Sequence, residues 1–444
     1  MNKTSRRTFI KQVGATGVGM TLGGLTFSAR SYANIMGANE RVNIAIMGTN
    51  GRGAGMARSF QNIADANISI ICDVEEEALN KGVEATKRAG GNPKTEKDIR
   101  KVLAMKDVDA VYIAAPDHWH SPATIMACQA GKHVYVEKPL SHNPREGELA
   151  IAAARKYNRI VQVGAQRRSC TRIMEGIKEL QNGIIGRVYF AKGWYTNNRT
   201  SIGFGKRVAP PANLDFDLWQ GPAPRRSYQD NLIHYNWHWF WHWGTGEALN
   251  NGTHEIDVIR WGLALDFPTQ VSSEGARFAF HDDWETPDTQ IINLQFGKDC
   301  LVTWEGRSCN SVNSEGRDRG VVFYGETGSL ETGHDGYRVL DQRNRVVKEV
   351  DSKEVVDGRD TTSPNVGMDA MHILDFLDAI KNNRRPNGDV SELHKSTTLV
   401  QLGNIAWRTG QRLTIDPSSG HILNSPEAQA LWSRTYEPGW EIEV

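Results

Sequence analysis

Hydrophobic positions fall into short β-branched runs separated by helix-length stretches up to about residue 166, and into turn-punctuated runs beyond it. Arg41–Met47 (RVNIAIM), Ile68–Ile71, Ala110–Ala114 (AVYIA), His133–Val136 and Ile160–Gly164 (IVQVG) read as strands apolar on both faces. Segments with helical spacing alternate with them. That alternation predicts βαβ units with right-handed crossovers, and hence a doubly wound parallel sheet over residues 40–166. From residue 167 the candidate strands (Val188–Tyr195, Ile291–Phe296, Cys300–Trp304, Gly320–Gly325) are separated by Gly, Asn and Asp turns. They predict a large, mostly antiparallel sheet. Met371–Lys381 and Ser396–Thr409 carry apolar residues at helical spacing, with Gly410 as the stop. The expectation is an α/β chain: a Rossmann-type domain, an α+β domain over 167–410 and a tail over 411–444.

The first strand runs into Gly48-Thr49-Asn50-Gly51-Arg52-Gly53, and the second ends at Asp73. In a dinucleotide fingerprint the first Gly makes the tight turn and the last lets the helix approach the sheet. The helix N-terminus faces the pyrophosphate, and the acid accepts from ribose hydroxyls. Here the middle position is Asn50, which tolerates a left-handed backbone, with Gly51 keeping the loop open. Asp73 disfavours a 2′-phosphate, so the expected cofactor is NAD, with NADP second. Later strands end at Pro116-Asp117-His118-Trp119-His120, Glu137-Lys138-Pro139 and Gly164-Ala165-Gln166-Arg167, three polar ends converging on one crevice. Cofactor contacts are therefore expected from Gly48, Asn50, Gly51, Arg52, Gly53, Asp73, Pro116, Asp117, His120, Glu137, Lys138 and Gln166. Taken singly, His118 and His120 read as packing or capping residues.

The second cluster is the Gly-rich run from Gly244 to Asp257. On a helix Asn250, His254 and Asp257 share one face, and a neutral imidazole accepts a hydroxyl proton as hydride leaves the same carbon. Upstream, Asn197–Tyr235 is a long loop rich in Pro, Gly and aromatics, a length usually kept for function. Trp237, Trp239, Trp241 and Trp243 follow, interleaved with His238 and His242. Trp faces suit sugar C–H surfaces, with His and Asn edges for hydroxyls; the same bias also fits a core wall or subunit interface. His234, His238 and His242 have a spacing that a metal can use, but no cysteine or acidic third ligand joins them, so no metal is expected.

The glycine turn with Asp73, the EKP at 137–139 and the Gly-rich run ending in Asn250-x-x-x-His254 resemble the Gfo/Idh/MocA oxidoreductase family (glucose–fructose oxidoreductase, inositol dehydrogenase, rhizopine catabolism). The resemblance covers about residues 41–410, and the Arg384-Arg385-Pro386 and Ser396-Thr397-Thr398-Leu399 segments are also similar. It implies that Lys138 lies beside the nicotinamide and the reacting hydroxyl and that His254 is the general base; the family's acid is here Asn250. Lys138 and His254 are the expected catalytic pair, their roles interchangeable at this stage. Arg167, Tyr195, Trp237, His238 and Asn250 complete the expected substrate contacts.

The reading that follows is an exported oxidoreductase acting on a hydroxyl of a sugar, cyclitol or glycoside. A second is a redox-neutral, NAD-dependent glycosidase working by oxidation, elimination, hydration and reduction, with Tyr195 or His238 as the extra base. A third is a non-catalytic sugar-binding protein. Export is suggested by Ser5-Arg6-Arg7-Thr8-Phe9-Ile10-Lys11, a twin-arginine pattern, an apolar stretch too short for a membrane span, and a cleavage site at Ser31-Tyr32-Ala33. That route predicts a periplasmic or otherwise exported protein and a signal peptide over residues 1–33. With 52 Lys+Arg against 52 Asp+Glu, no basic field exists for nucleic acid. The 5 Cys are odd in number and lack CxxC spacing, arguing against a disulfide framework or zinc. A homo-oligomer, dimer or tetramer, is expected from an exposed sheet face.

Overall fold

The computed structural model describes residues 41–351 and 366–444. The expected twin-arginine segment and its cleavage site lie outside the described residues. The first domain runs β1 (Val42–Met47), α1 (Arg52–Gln61), β2 (Ala66–Cys72), α2 (Glu76–Arg88), β3 (Lys94–Glu96), α3 (Ile99–Leu103), β4 (Ala110–Ile113), α4 (Asp117–Gln129), β5 (His133–Val136), α5 (Pro144–Lys156) and β6 (Val161–Val163). All six strands are parallel, in the order β3-β2-β1-β4-β5-β6. The order reverses between β1 and β4, and there the carboxyl ends open into a crevice. Ile44, Ile46, Tyr112 and Val134 are fully buried because helices cover both faces, which is why these strands do not alternate. The edge strand β3 reads Lys-Thr-Glu and carries no hydrophobic signal in the sequence.

A short helical turn at Gln166–Ser169 leads to α6 (Thr171–Gln181), β7 (Val188–Thr196) and α7 (Phe216–Gln220). One π-helical turn, Ala248–Gly252, then opens α8 (Thr253–Leu263). The strands β8 (Gln270–Ala276), β9 (Thr289–Phe296), β10 (Cys300–Arg307), β11 (Arg319–Gly325), β12 (Gly328–Thr332), β13 (Tyr337–Asp341) and β14 (Val346–Val350) follow. After them come α9 (Val366–Asn382), α10 (Val390–Thr409), β15 (Leu413–Thr414) and α11 (Pro426–Ala430). The second sheet has nine strands in the order β14-β13-β12-β11-β7-β10-β9-β8-β15, antiparallel except for β7 beside β10. Period-2 burial in β9 and β10 turns Ile292, Leu294, Val302 and Trp304 toward α8, whose Ile256 and Ile259 share their core.

Two segments cross the boundary that the sequence pattern suggests. Helix α9 packs Ile373, Phe376 and Leu377 against Tyr112, Tyr135 and Phe60 of the first domain, although its position in the chain suggests the second. The tail after residue 410 adds β15 to the second sheet and then returns to the first domain. Its Trp440 meets Trp119 edge-to-face at 5.3 Å, and Arg434 Nε reaches Glu146 Oε1 at 2.7 Å. Amphipathic spacing shows that a helix has an apolar face, not which core receives it. Among the described residues all five cysteines are free, and no helix is long and apolar enough to cross a membrane.

The elements meet at buried ion pairs. Arg168, on the turn that follows β6, donates from Nε and Nη2 to the two carboxylate oxygens of Asp257 on α8, each at 2.8 Å. Ser396 Oγ of α10 donates to the same carboxylate at 2.6 Å. A buried guanidinium left without its acid is costly, so Asp257→Ala should destabilise the fold by about 3–5 kcal/mol. Chemical denaturation tests this; a loss below about 1 kcal/mol would show that the pair holds nothing together.

Candidate active site

A cleft of about 630 Å³ runs from the glycine turn across the carboxyl ends of β1, β4 and β5 to the second domain. Its first half is shaped by backbone. Gly48 has φ +84°, and a Cβ there would meet Ala114 O at 2.7 Å; a Cβ on Gly53 would meet Gly48 O at 1.7 Å. These two glycines fold the turn flat against the sheet. Gly51, just before α1, faces open space, with nothing within 4 Å of its would-be Cβ. The N-terminus of α1 is thereby open to an anionic group such as a pyrophosphate. Asp73 lines the same end and accepts from Thr49 N at 2.6 Å and from Glu75 N at 3.0 Å. Burial raises its carboxyl pKa, and these N–H donors oppose the rise. Asn50 accepts from Lys81 Nζ at 2.6 Å, bracing the turn. The cradle fits a dinucleotide.

Arg52 lines the groove with its guanidinium turned onto two acids. It forms a fork with Asp369 of α9 (2.8 and 2.7 Å) and donates from Nε to Glu137 Oε1 at 3.0 Å. Tyr112 also donates to Glu137, at 2.7 Å. Burial alone would raise Glu137, but Arg52 and Lys138 hold it below the usual carboxylate range. With its amide oriented to satisfy both ends, Gln166 donates to Gly164 O and accepts from Arg52. Glu137 and Gln166 therefore support the groove floor through Arg52. His120 lines the groove together with Pro116 and Asp117, and its ring nitrogens lie 2.6 Å from Pro139 O and 2.8 Å from Ala115 O.

Lys138, just past β5, is the charged group where the groove meets the second domain. Its Nζ donates to the backbone carbonyl of Asn250 at 2.6 Å and to Asn250 Oδ1 at 3.2 Å. Both acceptors sit in the π turn, where a widened ladder admits an inserted side chain. Burial lowers the Lys138 pKa, opposed by the negative charges of Glu137 and Asp117. Asn250 is held in turn: its Nδ2 donates to Glu247 Oε1 at 3.1 Å and lies 3.3 Å from the Tyr235 hydroxyl. Glu247 also takes a hydrogen bond from Asn251 and a two-nitrogen contact from Arg199, whose guanidinium lies over the Tyr235 ring at 5.1 Å. Trp237 and His238, stacked at 3.6 Å, form the facing wall.

Of the expected substrate contacts, Lys138, Asn250, Trp237 and His238 line the cleft, and Arg167, Tyr195 and His254 do not. Tyr195 is fully buried beneath the Arg319 guanidinium, its hydroxyl against Asn197 Nδ2 and its pKa pushed up to about 12 by burial. Arg167 lies 3.4 Å from Glu255, which it shares with Arg319. His254 is buried behind Asn250, and its Nε2 meets no protein partner among the described residues. Burial, then the charges of Lys138, Arg167 and Arg319, push its pKa well below the ordinary histidine value, so it is neutral. The three expected metal-spaced histidines point apart: His234 to Glu75, His238 to Tyr235 O and His242 to Pro224 O. Tyr235, Arg199 and Glu247 were not singled out by the sequence. The first two belong to the long loop whose length marked it as functional.

The fold and this cleft define a class: a dinucleotide-binding Rossmann domain joined to an α+β domain, with one cleft running from the glycine turn to the second domain. Residues 42–165 match the family model for the NAD-binding Rossmann fold of the Gfo/Idh/MocA oxidoreductases, and residues 212–415 match that family's C-terminal alpha/beta domain. The chain belongs to that family, and its first domain is an NAD-binding Rossmann domain. A glycosyl hydrolase family 109 protein of Saccharopolyspora erythraea is 30% identical over 260 residues, spanning 52% of this chain and 56% of that relative's length. Two solved structures share the fold at 18% and 17% identity, respectively. The WlbA dehydrogenase of Bordetella pertussis, in complex with NADH and UDP-GlcNAcA, has a TM-score of 0.63 over 85% of this chain and 99% of its own. A levoglucosan dehydrogenase in complex with NADH has a TM-score of 0.64 over the same shares.

The packing of the turn sets a test. Gly53→Ala must displace Gly48 O, whereas Ser59→Ala, further along α1, lies outside the cleft lining. NAD affinity, followed by calorimetry, should fall at least about tenfold for the first and little for the second, since a helical exchange to Ala is otherwise mildly stabilising. Equal affinities would mean that this turn does not carry the cofactor.

Proposed function

We propose that the protein is an NAD-dependent oxidoreductase acting on a hydroxyl of a sugar, cyclitol or glycoside. The observation that carries this is the position of Lys138, an amine with a depressed pKa at the junction of the dinucleotide groove and an aromatic, hydroxyl-seeking wall. NAD, when bound, takes up the hydride. Lys138 accepts the hydroxyl proton and then, as an ammonium, stabilises the oxygen of the developing carbonyl. Asn250 fixes the amine in place, and Trp237 with His238 offers a flat face and a polar edge to the ring. Lys138 lines the cleft and His254 does not, which favours Lys138 as proton acceptor. Export by the twin-arginine route belongs to the same proposal and suits a protein that acquires its dinucleotide while folding.

A second reading, redox-neutral glycoside cleavage, is favoured by the family 109 relative. Incubation with a panel of glycosides separates the two. Nicotinamide absorbance without aglycone release supports net oxidation; release without stoichiometric NADH supports the eliminative route; neither signal on any glycoside removes both. Lys138→Ala should lower either activity about 10²–10⁴-fold while NAD still binds, and unchanged turnover would remove Lys138 from the chemistry.

A pH profile tests the role of Lys138 more finely. A base works deprotonated, so kcat/KM should rise as pH increases through the Lys138 pKa. The negative charge of Asp117 raises that pKa. Asp117→Asn keeps an acceptor for the Thr245 hydroxyl, now 2.5 Å away, yet removes the charge. The rising limb should therefore move to lower pH; a limb that stays or moves higher would assign it to another group.

A further inference from the structure

A segment of the second domain crosses the groove that receives the dinucleotide. In the parallel sheet, β1 with its glycine turn lies between β2 and β4. Residues 213–220 are tied to the strand ends on both sides of it. Toward β2, Glu76 N donates to Asn213 O and Asp215 N donates to Val74 O, each at 3.0 Å, and Glu75 and Leu214 face each other as an antiparallel bridge. Toward β4, Trp219 O accepts from Trp119 Nε1 at 2.9 Å and lies 3.0 Å from His118 Nε2. A segment fastened on both flanks of the glycine turn passes over the mouth of the crevice at the carboxyl ends of the strands.

The segment has two faces. Leu214, Leu218 and Trp219 line the cleft together with Asp73 and Val74, whereas Asp215 and Asp217 are exposed. Its apolar side is thus turned to the groove and its acidic side to water. The two fastenings differ in strength. On the β4 side Trp219 and Trp243 are buried in one cluster with Phe216, and a Cβ on Gly221 would meet the Trp119 ring at 2.0 Å. On the β2 side Leu214 and the half-buried Val74 reach the same cluster, but the ties are two backbone hydrogen bonds and the approach of His234 Nε2 to Glu75 Oε2 at 2.8 Å. Every residue from 206 to 212 is exposed, so the arm that leads into the segment gives up little packing when it moves.

We propose that residues 213–220 are a strap that gates the cofactor. NAD enters and leaves the groove only when the β2-side fastening opens, the strap turning about its firmer anchor at Trp119. With the fastening made, Leu214 and Leu218 cover the dinucleotide beside Asp73. The proposal concerns the exchange of NAD alone and stands whichever reaction the cleft performs.

The test locks the strap. Antiparallel bridge partners stand at a separation that a disulfide can span, so Glu75→Cys/Leu214→Cys in the full chain should form one on oxidation, checked by thiol titration. NADH is the probe, its fluorescence followed by stopped flow on uptake and on displacement by excess NAD. The oxidised double variant should take up and release NADH at least about tenfold more slowly than the same protein after dithiothreitol. Its Kd should change little, because a gate slows both directions alike. Asp215→Pro suits the local φ of −78° yet removes the N–H given to Val74 O, and should speed both steps about fivefold, the effect of one lost hydrogen bond; its Tm checks that it is folded. A disulfide that leaves both rates unchanged would overturn the gate. Slower release with unchanged uptake would overturn it too, since that marks an added contact only. Where no disulfide forms, the proline variant decides, and rates equal to those of the unaltered protein remove the strap.

Discussion

A buried amine has to be answered by something polar, and Lys138 is answered from the other domain. It stands at the end of β5, yet both acceptors at its Nζ belong to Asn250 in the π turn before α8. Leaving an ammonium in a dry crevice without such partners would be costly. That requirement fixes the distance between the parallel sheet and the turn, and so the width of the cleft between them. Glu247 extends the constraint outward, gripping Asn250, Asn251 and Arg199 with one carboxylate. The long loop is thereby tied to the same point, which brings Tyr235 against Asn250.

A parallel arrangement holds the groove from below. Arg52 leaves the cofactor turn, bridges Glu137 and Asp369, and so links α1, β5 and α9. Glu137 and Lys138 are adjacent in the chain and both line the cleft, but the acid pairs with Arg52 whereas the amine turns to Asn250. The EKP segment therefore places two oppositely charged neighbours on different partners, Glu137 on Arg52 and Lys138 on Asn250.

Much of this was legible in the sequence where burial dictates composition. β5 was predicted at its observed limits and β1 to within one residue, because central parallel strands must be apolar on both faces. The exposed edge β3 left no such trace. The site was legible as a set of segments more than as a set of atoms. Gly48, Gly51, Asp73 and Lys138 follow from backbone and charge requirements that a motif encodes. Tyr195 was misplaced because strand periodicity tells which residues share a face, not which face meets a ligand; on β7 its side chain lies in the core under Arg319. Helix spacing likewise put Asn250, Asp257 and His254 together, while the structure commits Asp257 to Arg168 and leaves His254 out of the cleft lining. Glu247 and Arg199 escaped notice because a buried ion pair between a loop and a helix start has no sequence period.

The amide at position 250 matters most for charge. The resemblance to the family implies an acid there, and a carboxylate beside Lys138 and His254 would favour the protonated form of both. An amide keeps the hydrogen bond to the lysine and supplies no charge. Burial then acts on both groups with less opposition: His254 is driven to its neutral form, and Lys138 is drawn down from the ordinary lysine value with only Glu137 and Asp117 resisting. Where the resemblance implies an acid, this chain places an amide, and the amine beside it feels two carboxylates, Glu137 and Asp117. Glu137 acts on the amine more strongly than Asp117 even though it is also paired with Arg52, so a change at either carboxylate reaches Lys138.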